Sequence, residues 1–269
     1  MILAGKRELT DKPKPRENLM GYLFASPWMV GFFALTLGPM IISFLFAFIK
    51  WDGINLEDIR WVGTANYARA ARDPDVRKAL INTAYYSFLS VPLGLAVSLA
   101  LAMLLNQQLR GISFFRTIFY MPSVIGGVAT IMMWIWIFNP EYGLLNDLLR
   151  RCALLLARLG MESARGWDPP KWLMSERWAI PSLIIMSLWG AGASMLIFLA
   201  ALQNVPDSLY EAADLDGAGR LVKFLHITIP QISPALFFNL VMGVIGSFQV
   251  FTEAFLMTAG GPNKATLFY

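Results

Sequence analysis

The sequence predicts an all-α integral membrane protein, a polytopic helical bundle with five visible spans. Composition is the first reason. Of 269 residues, 57% are hydrophobic and 15% charged, against about 45–50% and about 25% in an ordinary soluble domain. The second is the distribution of that apolar content. Mean hydropathy is +0.54, and five long apolar runs carry it, roughly Met20–Ile49, Ala79–Leu105, Thr117–Phe138, Trp178–Gln203 and Ala235–Thr258. Each meets the roughly 20 residues that a helix needs to cross about 30 Å of hydrocarbon. The third is the near absence of charge within them. The first four runs hold no Asp, Glu, Lys or Arg, and the fifth holds only Glu253. Membrane strands would instead show alternating segments of about ten residues.

The first 18 residues form a basic tail with Lys6, Arg7, Lys12, Lys14 and Arg16. The run that follows exceeds the 7–15 residues of a signal-peptide core and lacks a small-residue cleavage site, so an uncleaved span with a cytosolic N-terminus is expected. Gly38-Pro39 is expected to kink or divide this first run. Charge opposes that orientation: it leaves nine Lys/Arg inside and thirteen outside. Modest net charge (+4) gives nucleic-acid binding little support beyond a pI of 9.2. The lone Cys152 excludes an intrachain disulfide.

Between the third and fourth runs, "GLLNDLLRRCALLLARLG" reads as an amphipathic helix. Leu144, Leu145, Leu148, Leu149, Cys152, Leu155, Leu156 and Leu159 share one face, and Arg150, Arg151 and Arg158 the other, with Leu154 as the exception. That pattern suits a helix lying in the membrane interface plane, where it either only covers the ends of the spans or presents a docking surface for a partner. Nearby Trp167, Trp172 and Trp178 fit an interfacial belt.

Between the fourth and fifth runs lies a polar insert near 30 residues long, where a connection of about 4–6 is usual. Ser208-Leu209-Tyr210-Glu211 fits a capping box, and a short helix should run to about Asp216 and stop at Gly217. A second helix should follow, with Leu221, Val222, Phe224, Leu225 and Ile229 as its apolar set, ended by Pro230 and Pro234. Two short helices joined by a glycine elbow outside the hydrocarbon suit a docking element.

Within the fifth run, Asn239, Ser247, Gln249, Thr252 and Glu253 are candidate pathway residues, with Phe248, Phe251 and Phe255 nearby to offer aromatic faces to a sugar. The polar groups could equally bond between helices, and Glu253 could simply lie near an interface. Trp134, Trp136, Ser187 and Trp189 are weaker candidates. Enzyme classes find little here: His226 is the one histidine and lies in the insert, and HExxH, GxSxG and P-loop signatures are absent.

"EAADLDGAGRLVKFLHITIP" resembles the EAA loop of permease subunits from bacterial binding-protein-dependent ABC importers, matching at Glu211, Ala212, Ala213, Gly217 and Pro230. The "DGA" at Asp216–Ala218 is similar to the maltose-type carbohydrate branch, as are "FYMPSVIGGVATIMMWIWIFNPEYGLLN" and "SFQVFTEAFLMTAGGPNKAT". The resemblance implies a transmembrane domain over 19–269 with a coupling loop at about 204–234. It implies a pathway subunit of an ATP-driven importer for a sugar or related polyol or glycerol-phosphate, coupled at Glu211, Ala212, Ala213, Asp216, Gly217 and Pro230 to a separate ATPase dimer. It further implies a second permease subunit, an extracytoplasmic solute-binding protein, an inner-membrane location, and no cofactor or metal of its own, ATP being bound by the partner. An insert that meets a cytosolic ATPase must be inside, which overrides the charge count. Members of this branch have a sixth span after the Gly-Gly-Pro loop, so a chain stopping at Tyr269 either continues further or lacks that helix. A secondary transporter using Glu253 is the competing reading; it would leave the two-helix insert unexplained.

Overall fold

A computed structural model describes residues 15–107, 110–164 and 166–268. Lys6, Arg7, Lys12 and Lys14 of the basic tail lie outside the described residues. The chain divides into two compact units, one up to Asp73 and one from Pro74 onward.

In the first unit, α1 (Pro15–Phe32), a π-helical turn (Phe33–Leu37) and α2 (Gly38–Phe46) follow one another. Leu19–Phe46 is a single 28-residue helix, long and apolar enough to cross a membrane. Gly38-Pro39 therefore does not divide the run. Proline has no N–H to give and its ring crowds the carbonyl four residues back. The helix widens by one residue instead, and the Gly38 N–H reaches the Phe33 carbonyl. None of the residues of this span is buried within the unit, as expected of a helix whose cover is lipid or another helix.

A small cap follows, unforeseen in an all-α reading. Strands β1 (Ile49–Lys50) and β2 (Arg60–Trp61) pair antiparallel, Ile49 opposite Trp61. Asn66, on α3 (Ala65–Arg72), donates to the Ala47 and Ile49 carbonyls at 3.0 and 2.9 Å. Phe48 is the hub, stacked on Trp61 and in contact with Phe44 and Tyr67. At the hairpin tip the Asp52 carboxylate accepts the N–H groups of Ile54 and Asn55, at 2.9 and 3.1 Å, which hold its pKa below the ordinary carboxylate value.

The second unit is built around α4 (Pro74–Leu105), the other uninterrupted span at 32 residues. The remaining runs are broken, where continuous spans were expected. The third run is α5 (Ile112–Val124) and α6 (Val128–Ile137), bent by 101°. Gly127, at φ 73°, makes that turn, and the Thr130 hydroxyl takes up the freed Ile125 carbonyl at 2.6 Å. The amphipathic stretch is α7 (Leu144–Arg158). The fourth run is α8 (Glu176–Trp189) and α9 (Gly192–Gln203), bent by 49° at Gly190-Ala191. There the Ala191 carbonyl accepts the Met195 N–H at 3.0 Å and, across helices, the Ser98 hydroxyl of α4 at 3.1 Å.

The insert comprises α10 (Asp207–Leu215), α11 (Arg220–Lys223), a second π-helical turn (Phe224–Thr228) and α12 (Ile229–Gln231). Pro230 does not end this helix; the chain widens before it as it does before Pro39, and the Ile229 N–H reaches the Phe224 carbonyl. The turn comes at Ile232, where the chain bends by 70° into α13 (Ser233–Ser247). The fifth run is likewise interrupted: Phe248–Phe251 is not helical, and α14 (Thr252–Thr258) resumes beyond it. At about 1.5 Å per residue, α13 spans about 22 Å, short of the hydrocarbon thickness without its neighbours.

Helix α4 packs against α8, α9 and α13, and all three interfaces show the same layering. One apolar cluster gathers Tyr86, Ile131, Trp134, Phe138, Trp172, Ile180, Leu183, Ile184, Met186, Ala254 and Met257. Another gathers Leu99, Ala102, Leu105, Met195, Phe198, Leu199, Leu202, Val205 and Ile232. Between them along α4, α8–α9 and α13 comes a stretch of serines and glycines. Close approach depends on the glycines: a β-carbon at Gly192 would sit 2.3 Å from the Phe119 carbonyl oxygen, and one at Gly243 would sit 3.2 Å from Val91 Cγ1.

Candidate functional site

Two places in the second unit carry the candidate residues. The first is a cleft of about 200 Å³ in the serine-glycine layer. Ser90, Gly94 and Ser98 line it from α4, Ser187 and Ser194 from α8 and α9, and Asn239, Gly243 and Ser247 from α13. Small side chains leave the space, and hydroxyls give it short-range hydrogen-bonding capacity without fixed charge. Asn239 and Ser247 are buried, at 4% and 6% exposure. Asn239 donates to the Ala235 carbonyl at 2.9 Å, and Ser247 shares a 2.6 Å hydrogen bond with Ser87.

Of the pathway candidates, Asn239 and Ser247 therefore come together here. Gln249, Thr252 and Glu253 do not line the cleft: Gln249 falls in the interruption after α13, and Thr252 and Glu253 open α14. Glu253 is half-buried in the first turn of that helix, not midway along a continuous span, because the interruption restarts the backbone just before it. Ser187 lines the cleft as well. Trp134 is packed in an apolar cluster, whereas Trp136 and Trp189 are about half exposed. Sequence reasoning missed Ser90, Ser98 and Ser194. The signal was available on α4, where Ser87, Ser90, Gly94 and Ser98 recur at helical spacing within an apolar run.

The second place is the insert. Pro206 holds the N-cap position at φ −63°, ψ 130°, so α10 begins at Asp207 and Ser208 is already inside it. The capping box does not form: the helix start has no side-chain cap. Glu211 and Ala212 are exposed, and the Glu211 side chain makes no hydrogen bond or ion pair with the described residues. The elbow forms as expected. Gly217 adopts φ 74°, its N–H donates to the Asp214 carbonyl at 3.1 Å, and the Ala218 N–H donates to Ala213 at 2.9 Å. This pair of bonds is the Schellman closure, which needs a left-handed residue where Gly217 stands. Ala213 thus supplies the carbonyl on which the turn closes, and Asp216 is the last right-handed residue before it.

Two side-chain contacts lock the far side. Lys223 pairs with Asp214 at 2.6 Å, and the Tyr210 and Thr228 hydroxyls lie 2.9 Å apart. Tyr210, Phe224, Ile227 and Ile229 pack on the cluster formed by the ends of α4 and α9. The elbow is thereby anchored to the bundle, while Leu215, Leu221, Val222 and Leu225 stay open, Leu215 at 91% and Leu221 at 70% exposure. Isolated exposed leucines are ordinary, but here four exposed apolar side chains gather about one elbow. Pro230, exposed, sits behind the π-helical turn that it imposes.

Fold and site together define a class: a polytopic helical membrane protein with a small polar cleft between broken spans and a rigid two-helix projection. Residues 90–268 match the family described as binding-protein-dependent transport system inner membrane component, and the chain belongs to that family. It is 38% identical over 258 residues to a probable ABC transporter permease of Bacillus subtilis (YesP), covering 94% of this chain and 79% of that one. It is 32% identical to the arabinooligosaccharides transport system permease AraP of Bacillus subtilis (88% of this chain, 71% of AraP). Identity is 30% to the trehalose/maltose transport system permease MalF of Thermococcus litoralis (96% and 83%). The fold matches a chain in the crystal structure of a bacterial ABC transporter involved in alginate import, with TM-score 0.73 at 24% identity, covering 94% of this chain and 81% of that one. The protein is a permease subunit, the non-catalytic membrane component of its transport system; a secondary transporter built on Glu253 is set aside by the family assignment.

Proposed function

We propose that this permease carries a sugar or related polyol in an ATP-driven importer, and that the elbow at Gly217 is its contact with a separate ATPase. The observation that carries this reading is the open leucine turn, Leu215, Leu221, Val222 and Leu225, held rigid by the Schellman closure and the Lys223–Asp214 pair. A rigid projection transmits force in either direction, whereas a mobile connector would not. Glu211, Ala212, Ala213, Asp216, Gly217 and Pro230 form or flank that projection. With the elbow in the cytosol, the N-terminus is also cytosolic. The cleft between the clusters belongs to the solute pathway, completed by a second permease subunit and fed from outside by the solute-binding protein. Hydroxyls and an amide without fixed charge suit a neutral polyhydroxylated solute, and the named relatives transport arabinooligosaccharides and trehalose or maltose.

The test is Leu215→Asp with Leu221→Asp. Both side chains are well exposed, so the fold should hold and membrane insertion should be unchanged. Co-purification of the ATPase should fall sharply. Undiminished recruitment would show that the ATPase contacts the permease elsewhere.

A further inference from the structure

Helix α7 has three faces where an amphipathic helix has two. At about 100° per residue, the arc holding Leu145, Leu149, Asn146 and Ala157 is packed on protein, with Leu156 between them at 43% exposure. Asn146 is 1% exposed, accepts the Trp172 indole N–H at 2.7 Å and donates to the Pro140 carbonyl at 3.1 Å. The next arc, holding Leu144, Leu155, Leu148, Leu159 and Cys152, is open, its leucines at 55–81% exposure. The third holds Arg150, Leu154, Asp147, Arg158 and Arg151. Arg150 is tied to the Pro140 and Glu141 carbonyls, and Arg151 to Asp147.

We propose that the open leucine arc is seated in the lipid–water interface of the bilayer, so that α7 is a membrane-surface helix bracing the adjoining ends of α6 and α8. Continuity with the membrane surface is the first argument. Only Phe138–Gly143 separate α7 from α6, whose Val128, Met132 and Trp136 are exposed apolar side chains on a membrane-crossing element. The chain enters the next span at α8, so both ends of the segment are held at one interface. The second argument is shape. Asn146 and Arg150 fix the rotation of the helix about its axis, which leaves the leucine arc no choice of cover within the unit. The third is charge. Arg151 and Arg158 border the leucine arc on one side, three arginines against one aspartate on the helix, which suits phosphate headgroups beside the acyl boundary. The inference rests on membrane membership alone and is independent of the sugar and ATPase readings.

Cys152 is the only cysteine of the chain and lies on the open arc, so the native sequence carries its own probe. A nitroxide on Cys152 would be read in the full chain, purified with its co-purifying subunits and reconstituted in phosphatidylethanolamine–phosphatidylglycerol vesicles. Labels at Leu148→Cys and Leu154→Cys, each in a Cys152→Ser background, report the leucine and charged arcs. Collision with oxygen relative to a water-soluble nickel chelate should be several-fold higher at positions 152 and 148 than at 154. Nickel-dominated relaxation at all three would place the arc in water and overturn the proposal. Immobilised labels screened from both reagents, or labels screened only when the solute-binding protein is added, would make the cover a protein and overturn it too.

Discussion

The hydroxyls of Tyr210 and Thr228, on opposite sides of the elbow, meet at 2.9 Å. With the Lys223–Asp214 pair, the bond ties together the two helices that meet at Gly217, and Thr228 is itself buried at the end of the π-helical turn. Tyr210→Phe keeps the ring packed on the α4–α9 cluster and removes only this tie, a loss of about 0.5–1.5 kcal/mol. Hydrogen exchange of the backbone amides at 220–229 should quicken by up to about ten-fold, with the spans unaffected. Unchanged exchange would mean that packing and the Lys223–Asp214 pair suffice to hold the two helices together.

Gly217 is constrained by its backbone angle and not by its neighbours. A β-carbon there would meet nothing within 4 Å, yet φ is 74°. Gly217→Val should therefore cost about 1–3 kcal/mol through strain and misplace α10 relative to α11. Insertion should survive while ATPase recruitment or substrate-stimulated hydrolysis is lost. Gly217→Asn, which tolerates the left-handed region better, should retain more coupling. Wild-type coupling in the valine variant would remove the elbow from the mechanism.

Much of this insert was legible in the sequence because its determinants are local. A glycine after a short periodic run and a run of apolar positions at helical spacing specify a stop and a second helix. The capping box failed for an equally local reason: Pro206 sets the helix start two residues early, so Ser208 and Glu211 fall past the cap. The breaks within the spans were not legible, because hydropathy is the same along a straight and a bent apolar run. Ser98, nearly a hundred residues away in sequence, adds a second hydrogen bond to the Ala191 carbonyl beside the α8–α9 break, a contact only the folded bundle supplies. The cleft is invisible for the same reason, since its lining comes from α4, α8, α9 and α13 together.

Gly192 illustrates how tightly the bundle is closed. Its missing side chain lets the α5 backbone approach, and a methyl group would fall 2.3 Å from the Phe119 oxygen and 2.9 Å from the Tyr120 α-carbon. These are backbone atoms and cannot rotate away. Gly192→Ala should destabilise the α5–α9 contact by about 1–3 kcal/mol, seen as a lower thermal midpoint of the detergent-solubilised protein. An unchanged midpoint would mean that α5 shifts freely against α9.

Glu253 is the one carboxylate in the fifth apolar run. It stands half-buried in the first turn of α14, a position where the helix dipole favours negative charge by about 0.3–1 kcal/mol. It lies three residues beyond Val250, which lines the cleft, and next to Ala254 of the apolar cluster. A carboxylate so placed lies close to the cleft without lining it. Glu253→Gln keeps the shape and hydrogen-bonding reach and removes only the charge. Uptake should change, with insertion and subunit assembly intact, and the change should appear in the uptake kinetics of reconstituted vesicles at matched protein levels. Wild-type kinetics would remove Glu253 from the pathway. Failed assembly would make its charge a structural one, holding the start of α14 where the span resumes.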